Sequence, residues 1–118
     1  MKKLTIPLLL AAIALMGARS FSSNAETGIS IFKANKCMKC HSIESQGIKR
    51  TSEPPVGAKF PPPDLSGVGL KHTADWMAQW VTKQITMHDK KHMYKFKGSD
   101  DELKTLTTWL ATLKKKPA

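Results

Sequence analysis

Residues 37–41 read Cys-Met-Lys-Cys-His, and the 118-residue chain contains no other cysteine. Two residues between the thiols allow one helical turn to present both of them, with the imidazole of His41 directly after the second. Two cysteines cannot form the several bridges of a disulfide-dense small protein. A single domain of this size buries only about 60–65% of its unfolded surface. A bound group or a cross-link is therefore expected to stabilise the fold.

The spacing C-x-x-C-H is the attachment sequence of c-type haem. Each thiol adds across one haem vinyl group to leave a thioether, and His41 then supplies a nitrogen to the iron. Zinc and dithiol chemistry stay open as alternatives. Zinc would need a fourth ligand, and the histidines available for it are His72, His88 and His92. Adjacent Cys40 and His41 suit one tetrahedral site poorly, and the βαβ pattern that accompanies a redox-active C-x-x-C pair is missing.

The N-terminus has the features of a secretory signal peptide. Two lysines precede an apolar run over residues 6–16, and Ser23 and Ala25 are small residues at the positions that a signal peptidase reads. The run is shorter than the roughly 20 apolar residues that span a bilayer, so cleavage is favoured over a retained membrane anchor. Residues 1–25 are predicted to be removed, which leaves a domain over residues 26–118 and lowers the formal charge from +10 to +7.

Apolar periodicity predicts three helices, over residues 27–35, 73–85 and 100–114. The apolar positions of the second and third helices are Trp76, Met77, Trp80, Val81, Ile85, Leu103, Leu106, Trp109, Leu110 and Leu113. No segment alternates polar and apolar residues for long enough to predict a strand. Residues 42–69 are rich in Pro, Gly and Ser and are predicted to form a long loop, of a length that is usually functional.

Helix-terminal residues support two of these predictions. Thr73 is a candidate N-cap, and Ser99 with Glu102 has the spacing of a capping box. Acidic residues follow Ser99, and lysines occupy positions 114–116. Both sets have the sign that stabilises the helix dipole, which favours a helix ending near residue 114.

Together these motifs resemble the class I, mono-haem cytochromes c of bacteria, over nearly all of the predicted domain. Gly28 and Phe32 precede Cys37 as in the first helix of that family. The segment Pro-Asp-Leu-Ser-Gly-Val-Gly over residues 63–69 is similar to its proline-leucine-glycine segment, and residues 103–113 are similar to its last helix.

The resemblance implies an all-α class I cytochrome c fold, in which a small shell of helices surrounds one covalently bound haem c and the first and last helices cross. It implies that Gly28 and Phe32 pack against Trp109 or Leu110, with the glycine allowing close backbone approach. Residues 45–62 have no clear counterpart in the family.

The same resemblance implies that the Pro63 carbonyl accepts a hydrogen bond from His41, and that a methionine before the last helix fills the sixth position of the iron. Met93 fits best, because it lies a short loop before Ser99, whereas Met77 falls in an apolar helix stripe. Imidazole is also a good iron ligand. The alternatives that stay open are Met87, His88 and His92. The predicted cofactor-binding residues are Cys37, Cys40, His41, Pro63 and Met93, with His41 and Met93 on the iron.

A six-coordinate iron would leave no place for a substrate, so the predicted function is the transfer of single electrons in the periplasm, without enzyme activity. The competing hypotheses are a haem c subunit of a periplasmic oxidoreductase complex and a ligand-binding haem protein with an open iron. Lysines flank the predicted ligands, at Lys33, Lys36, Lys39, Lys90, Lys91, Lys95 and Lys97. They predict redox partners with acidic docking surfaces. Nucleic-acid binding and stable membrane insertion after cleavage are not expected. Weak contact with an anionic membrane surface stays open.

Overall fold

The computed structural model describes residues 22–117, with side chains from residue 25 onward. Three α-helices lie in this part of the chain: α1 (Ser22–Ala34), α2 (Ala74–Val81) and α3 (Asp100–Ala111). Three short 3₁₀ turns lie between them, at Cys37–Lys39, Glu44–Gln46 and Val68–Leu70. The described residues contain two isolated β-bridges and no strand, so the all-α prediction is confirmed. The predicted signal peptide lies outside the described residues, except for positions 22–25.

The predicted helix starts are confirmed at α2 and α3. The Thr73 hydroxyl accepts from the Trp76 amide at 3.1 Å. At α3 the Ser99 hydroxyl accepts from the Glu102 amide at 3.1 Å, and the Glu102 carboxylate accepts from the Ser99 amide at 3.1 Å, which completes the capping box. The first helix begins earlier than predicted, at Ser22 rather than residue 27.

Two predicted helix ends are wrong. The second helix stops at Val81 instead of residue 85, because Lys83 adopts the left-handed conformation with φ 62°. The amides of Lys83 and Gln84 then donate to the carbonyls of Trp80 and Gln79, which is the pattern of a Schellman cap. The third helix ends at Ala111, so residues 114–116 lie beyond its last turn.

The first and last helices cross at Gly28 and Trp109. A Cβ atom at Gly28 would lie 2.7 Å from the indole ring of Trp109, so only glycine allows this approach. One turn later, Phe32 meets the same indole edge-on, with ring centroids 6.4 Å apart. The helix contact that the family resemblance implies is therefore present.

The buried core lies between α1, α2 and α3. Its members are Ile31, Phe32, Ile43, Ile48, Met77, Phe96, Leu106, Trp109, Leu110 and Leu113. Ile43 and Ile48 belong to the predicted loop, and their burial shows that its first residues are part of the core. None of the helices in the described part of the chain has the length and apolar character needed to cross a membrane.

Candidate haem site

The two cysteines and His41 lie on one tight turn directly after α1. Lys36 adopts the left-handed conformation with φ 58°, which separates this turn from the helix. The amides of Cys40 and His41 both donate to the Cys37 carbonyl, at 3.2 and 3.0 Å. The C-x-x-C-H residues therefore form a single helical turn, as their spacing predicts.

Both thiols are free, and they differ in their surroundings. Cys37 is half-buried and Cys40 is exposed. Burial raises the pKa of the Cys37 thiol to about 11; a backbone hydrogen bond lowers it in part, and the neighbouring Cys40 raises it. Cys37 is thus a neutral thiol at physiological pH, and two separate thiols suit the formation of two thioethers.

His41 is fixed by the first residue of the 63–69 segment. Its Nδ1 atom donates to the Pro63 carbonyl at 2.8 Å. Burial lowers the pKa of His41, and the Pro63 hydrogen bond opposes that effect, so the ring is neutral near pH 7. A hydrogen bond from the second ring nitrogen is what orients a metal-binding histidine and tunes the metal.

Asp64 holds the Pro63 carbonyl in this position, a role that the sequence analysis did not assign. Its carboxylate accepts from the Ser42 hydroxyl at 2.7 Å and from the Glu44 amide at 2.9 Å. The Leu65 amide donates to the Ser42 carbonyl at 2.9 Å. Together these bonds tie the residues after His41 to the residues after Pro63.

The segment before α3 carries the candidate second ligands. The Phe96 amide donates to the Val81 carbonyl at 2.9 Å, and the Lys97 amide donates to the Asn35 side chain at 3.2 Å. Within this segment the ring of His92 lies near-parallel to that of His41, with centroids 6.2 Å apart. Met93, the ligand predicted from the sequence, has a side chain that is 90% exposed. The structure thus brings the ring of His92 next to that of His41.

The other candidates belong to the core or to the tight turn at Met87–Lys90. Met77 is buried, as its helix position predicts. Met87 belongs to a tight turn that it closes with Lys90, through backbone hydrogen bonds of 2.8 and 3.1 Å. His88, in the same turn, stacks on Phe60 with ring centroids 3.9 Å apart.

Aromatic side chains of α2 form a row that begins at His92. Trp80 contacts His92 edge-on at a centroid distance of 5.4 Å, and Trp76 lies next to Trp80 at 5.6 Å. His72 stacks on Trp76 at 3.6 Å. The helix pattern identified these tryptophans as apolar, and only the fold shows that they adjoin the site.

The described residues contain no cluster of side chains that would support the zinc alternative. Nowhere in residues 22–117 do three His, Cys, Asp or Glu side chains converge in a way that would hold a metal ion.

Arg50 indicates that an acidic group belongs beside the turn. Its Nη1 atom is buried and has no hydrogen-bond partner within residues 22–117. The next residue, Thr51, donates its amide to the Met38 carbonyl at 2.9 Å, which places this segment against the turn. An unpaired buried guanidinium nitrogen is costly, and a carboxylate such as a haem propionate is the acceptor that it fits best. The thiols, the imidazole and this guanidinium together fit a haem.

The comparison with known protein families agrees with this chemistry. The sequence model of the cytochrome c family matches residues 25–114. No curated protein and no solved structure gives a significant match. The matched residues include the crossing of α1 with α3, the turn with both cysteines and the Pro63 hydrogen bond. The chain belongs to the cytochrome c family, whose members bind haem c covalently and carry electrons.

Proposed function

We propose that this protein is an exported electron carrier with one haem c, attached through Cys37 and Cys40, and a six-coordinate iron. Family membership supports a haem-binding electron carrier. The observation that carries the proposal is the hydrogen bond from His41 to Pro63, which leaves Nε2 as the free nitrogen of a fixed, neutral ring. That is the form of imidazole that binds iron.

Different residues of the chain would bind the porphyrin, the iron and a propionate of the haem. The iron supplies a one-electron couple between its ferric and ferrous states. Cys37 and Cys40 would hold the haem covalently, His41 would bind the iron, and Arg50 would neutralise a propionate. A second ligand would come from the segment before Phe96, where the sequence predicts Met93 and leaves His92 open. With two protein ligands on the iron, no substrate could bind it.

Surface lysines support a partner with acidic docking surfaces. Each lysine that flanks the predicted ligands in sequence is exposed: Lys33, Lys36, Lys39, Lys90, Lys91, Lys95 and Lys97. Exposed charges of one sign steer an oppositely charged partner and accelerate encounter at low salt. The partners on this proposal are other redox proteins, one a donor and one an acceptor.

Export follows from the N-terminal pattern and from the family, whose members are typically exported. Cleavage before Glu26 would shorten α1 by its first four residues. Gly28 and Phe32, which contact Trp109, would be retained. The proposed mature protein is therefore periplasmic and keeps the helix crossing intact.

A redox titration of the purified holoprotein tests the proposal. We expect reversible one-electron behaviour, low-spin iron in both oxidation states and no binding of carbon monoxide to the reduced protein. High-spin, five-coordinate iron that binds carbon monoxide would contradict a simple carrier. Stable copurification with a larger enzyme would instead favour a subunit of an oxidoreductase complex.

A further inference from the structure

The ring of His92 is oriented in the same way as the ring of His41. Its Nδ1 atom hydrogen-bonds the carbonyl of Tyr94, as Nδ1 of His41 bonds that of Pro63. A carbonyl oxygen can only accept, so in each ring Nδ1 carries the proton and Nε2 keeps the lone pair. The site therefore holds two imidazoles that are both prepared to bind a metal through Nε2.

The separation of these rings matches two imidazoles bound to one metal ion. Their centroids are 6.2 Å apart and their planes differ by 8°. Stacked rings in contact are much closer, as His72 and Trp76 show at 3.6 Å. Two metal–nitrogen bonds of about 2 Å, extended by the radius of each ring, place the ring centres about 6 Å apart.

Packing from α2 and from the segment before α3 holds His92 in place. The edge-on contact with Trp80 has ring centroids 5.4 Å apart and planes at 66°. Four residues after His92, Phe96 is buried and anchored to the Val81 carbonyl. The His92 ring is half-buried, whereas the side chain of Met93 is 90% exposed.

We propose that His92, and not Met93, is the axial ligand opposite His41. The inference rests on the proposed function, because it assigns the second ligand of the same haem. An imidazole pair lowers the reduction potential relative to a histidine and a methionine, since a thioether favours ferrous iron. The protein would then exchange electrons with partners of lower potential than a methionine-ligated cytochrome c could reduce.

Visible and near-infrared spectra of the oxidised holoprotein, expressed from the full-length sequence, test the assignment. We expect the wild type to be low-spin and to lack the near-infrared methionine-to-iron charge-transfer band. His92→Gly should become high-spin, or gain that band if Met93 replaces the imidazole. Added imidazole should restore the low-spin spectrum of the His92→Gly protein.

Two matched variants control for general disturbance of the segment. Met93→Ala removes the neighbouring methionine and should leave the spin state and reduction potential unchanged. His88→Ala removes a histidine four residues earlier that stacks on Phe60 instead of facing His41, and it should also leave both unchanged. If the His92→Gly protein does not acquire haem, the spectra of the wild type and of Met93→Ala still decide whether Met93 binds the iron.

The possible results separate this inference from the function on which it rests. A methionine band in the wild type that disappears in Met93→Ala overturns the assignment of His92 but keeps the six-coordinate carrier. A low-spin spectrum of His92→Gly that lacks the methionine band, without added imidazole, also overturns it, because a third group must then bind. High-spin wild-type iron overturns the assignment and the six-coordinate carrier together.

Discussion

Oδ2 of Asp64 lies 2.7 Å from the hydroxyl oxygen of Ser42, and this contact joins the residues that follow His41 to those that follow Pro63. The same carboxylate oxygen accepts from the Glu44 amide. The hydrogen bond that orients His41 therefore depends on a carboxylate that does not touch the imidazole.

Replacing Asp64 with asparagine should loosen the link between the two segments. One neutral oxygen would replace a carboxylate that accepts several hydrogen bonds, so we expect a loss of about 1–2 kcal/mol in the free energy of unfolding. Weaker orientation of His41 should also shift the reduction potential. Denaturant unfolding and a redox titration measure the two effects. Glu53→Gln, a neutralised carboxylate on an exposed residue, is the control and should change neither.

The contribution of Asp64 should disappear in acid. Burial raises its pKa, but hydrogen bonds from Ser66, Ser42 and the Glu44 amide outweigh burial and lower it from 3.8 to about 2. Because the pKa of Asp64 is lower in the folded state than in the unfolded state, its ionised carboxylate stabilises the fold at pH values above 3.8. That stability is lost as the pH falls from 3.8 towards 2. The difference in melting temperature between wild type and Asp64→Asn should therefore shrink over that interval. A difference that stays constant from pH 6 to pH 2 would contradict this prediction.

Gly28→Ala should destabilise the protein, although alanine is the better helix former. The new methyl group would lie 2.7 Å from the Trp109 indole, and overpacking of this kind costs about 1–3 kcal/mol, against a gain of up to about 1 kcal/mol from helix propensity. Thermal unfolding followed by circular dichroism measures the net effect. Ser30→Ala, on the exposed side of the same helix, should change stability by less than about 0.5 kcal/mol. An unchanged Gly28→Ala protein would mean that the helices are further apart.

Arg50→Gln should lower the reduction potential, because a positive charge beside the haem disfavours the ferric state. A charge interaction on the order of 1 kcal/mol corresponds to about 40 mV for one electron. Lys49→Gln is a matched control, since it removes the same charge from the adjacent, exposed residue. Potentiometric titration of both variants separates the buried cation from the general surface charge. Equal shifts in the two proteins would show that Arg50 has no special contact with the haem.

Covalent attachment should depend on both thiols. Mass spectrometry of the denatured wild type should show one added haem that acid–acetone does not extract. Cys37→Ser or Cys40→Ser should yield a single-thioether product or no haem at all. Haem that is extracted freely from the wild type, or bound zinc in its place, would contradict the cofactor assignment.

Local signals made much of the fold predictable from the sequence. Ser99 and Glu102 bond to each other three residues apart, so the start of α3 can be located without knowledge of the rest of the chain. The end of α2 could not be predicted in this way. The left-handed position that ends a helix is usually a glycine, which can be recognised in a sequence, but here it is Lys83.

The site was predictable to the extent that its chemistry lies in adjacent residues. The C-x-x-C-H spacing identifies Cys37, Cys40 and His41 from the sequence alone. Asp64 and Arg50 act over contacts that only the folded loops create, and the composition of residues 42–69 indicated no more than a loop. The choice between His92 and Met93 is the clearest case. The two are neighbours in the sequence, and only the backbone path decides which side chain meets His41.

The crossing of Gly28 with Trp109 also fixes the order in which the molecule is completed. Gly28 and the two cysteines lie in the first part of the domain and Trp109 lies near its end, so the thiols are accessible in the unfolded chain before α1 has its partner. Because this contact closes a loop of most of the domain, its entropy cost is met late in folding. The attachment turn is thus accessible to a haem-joining apparatus during an interval that ends only when the C-terminal helix packs on α1.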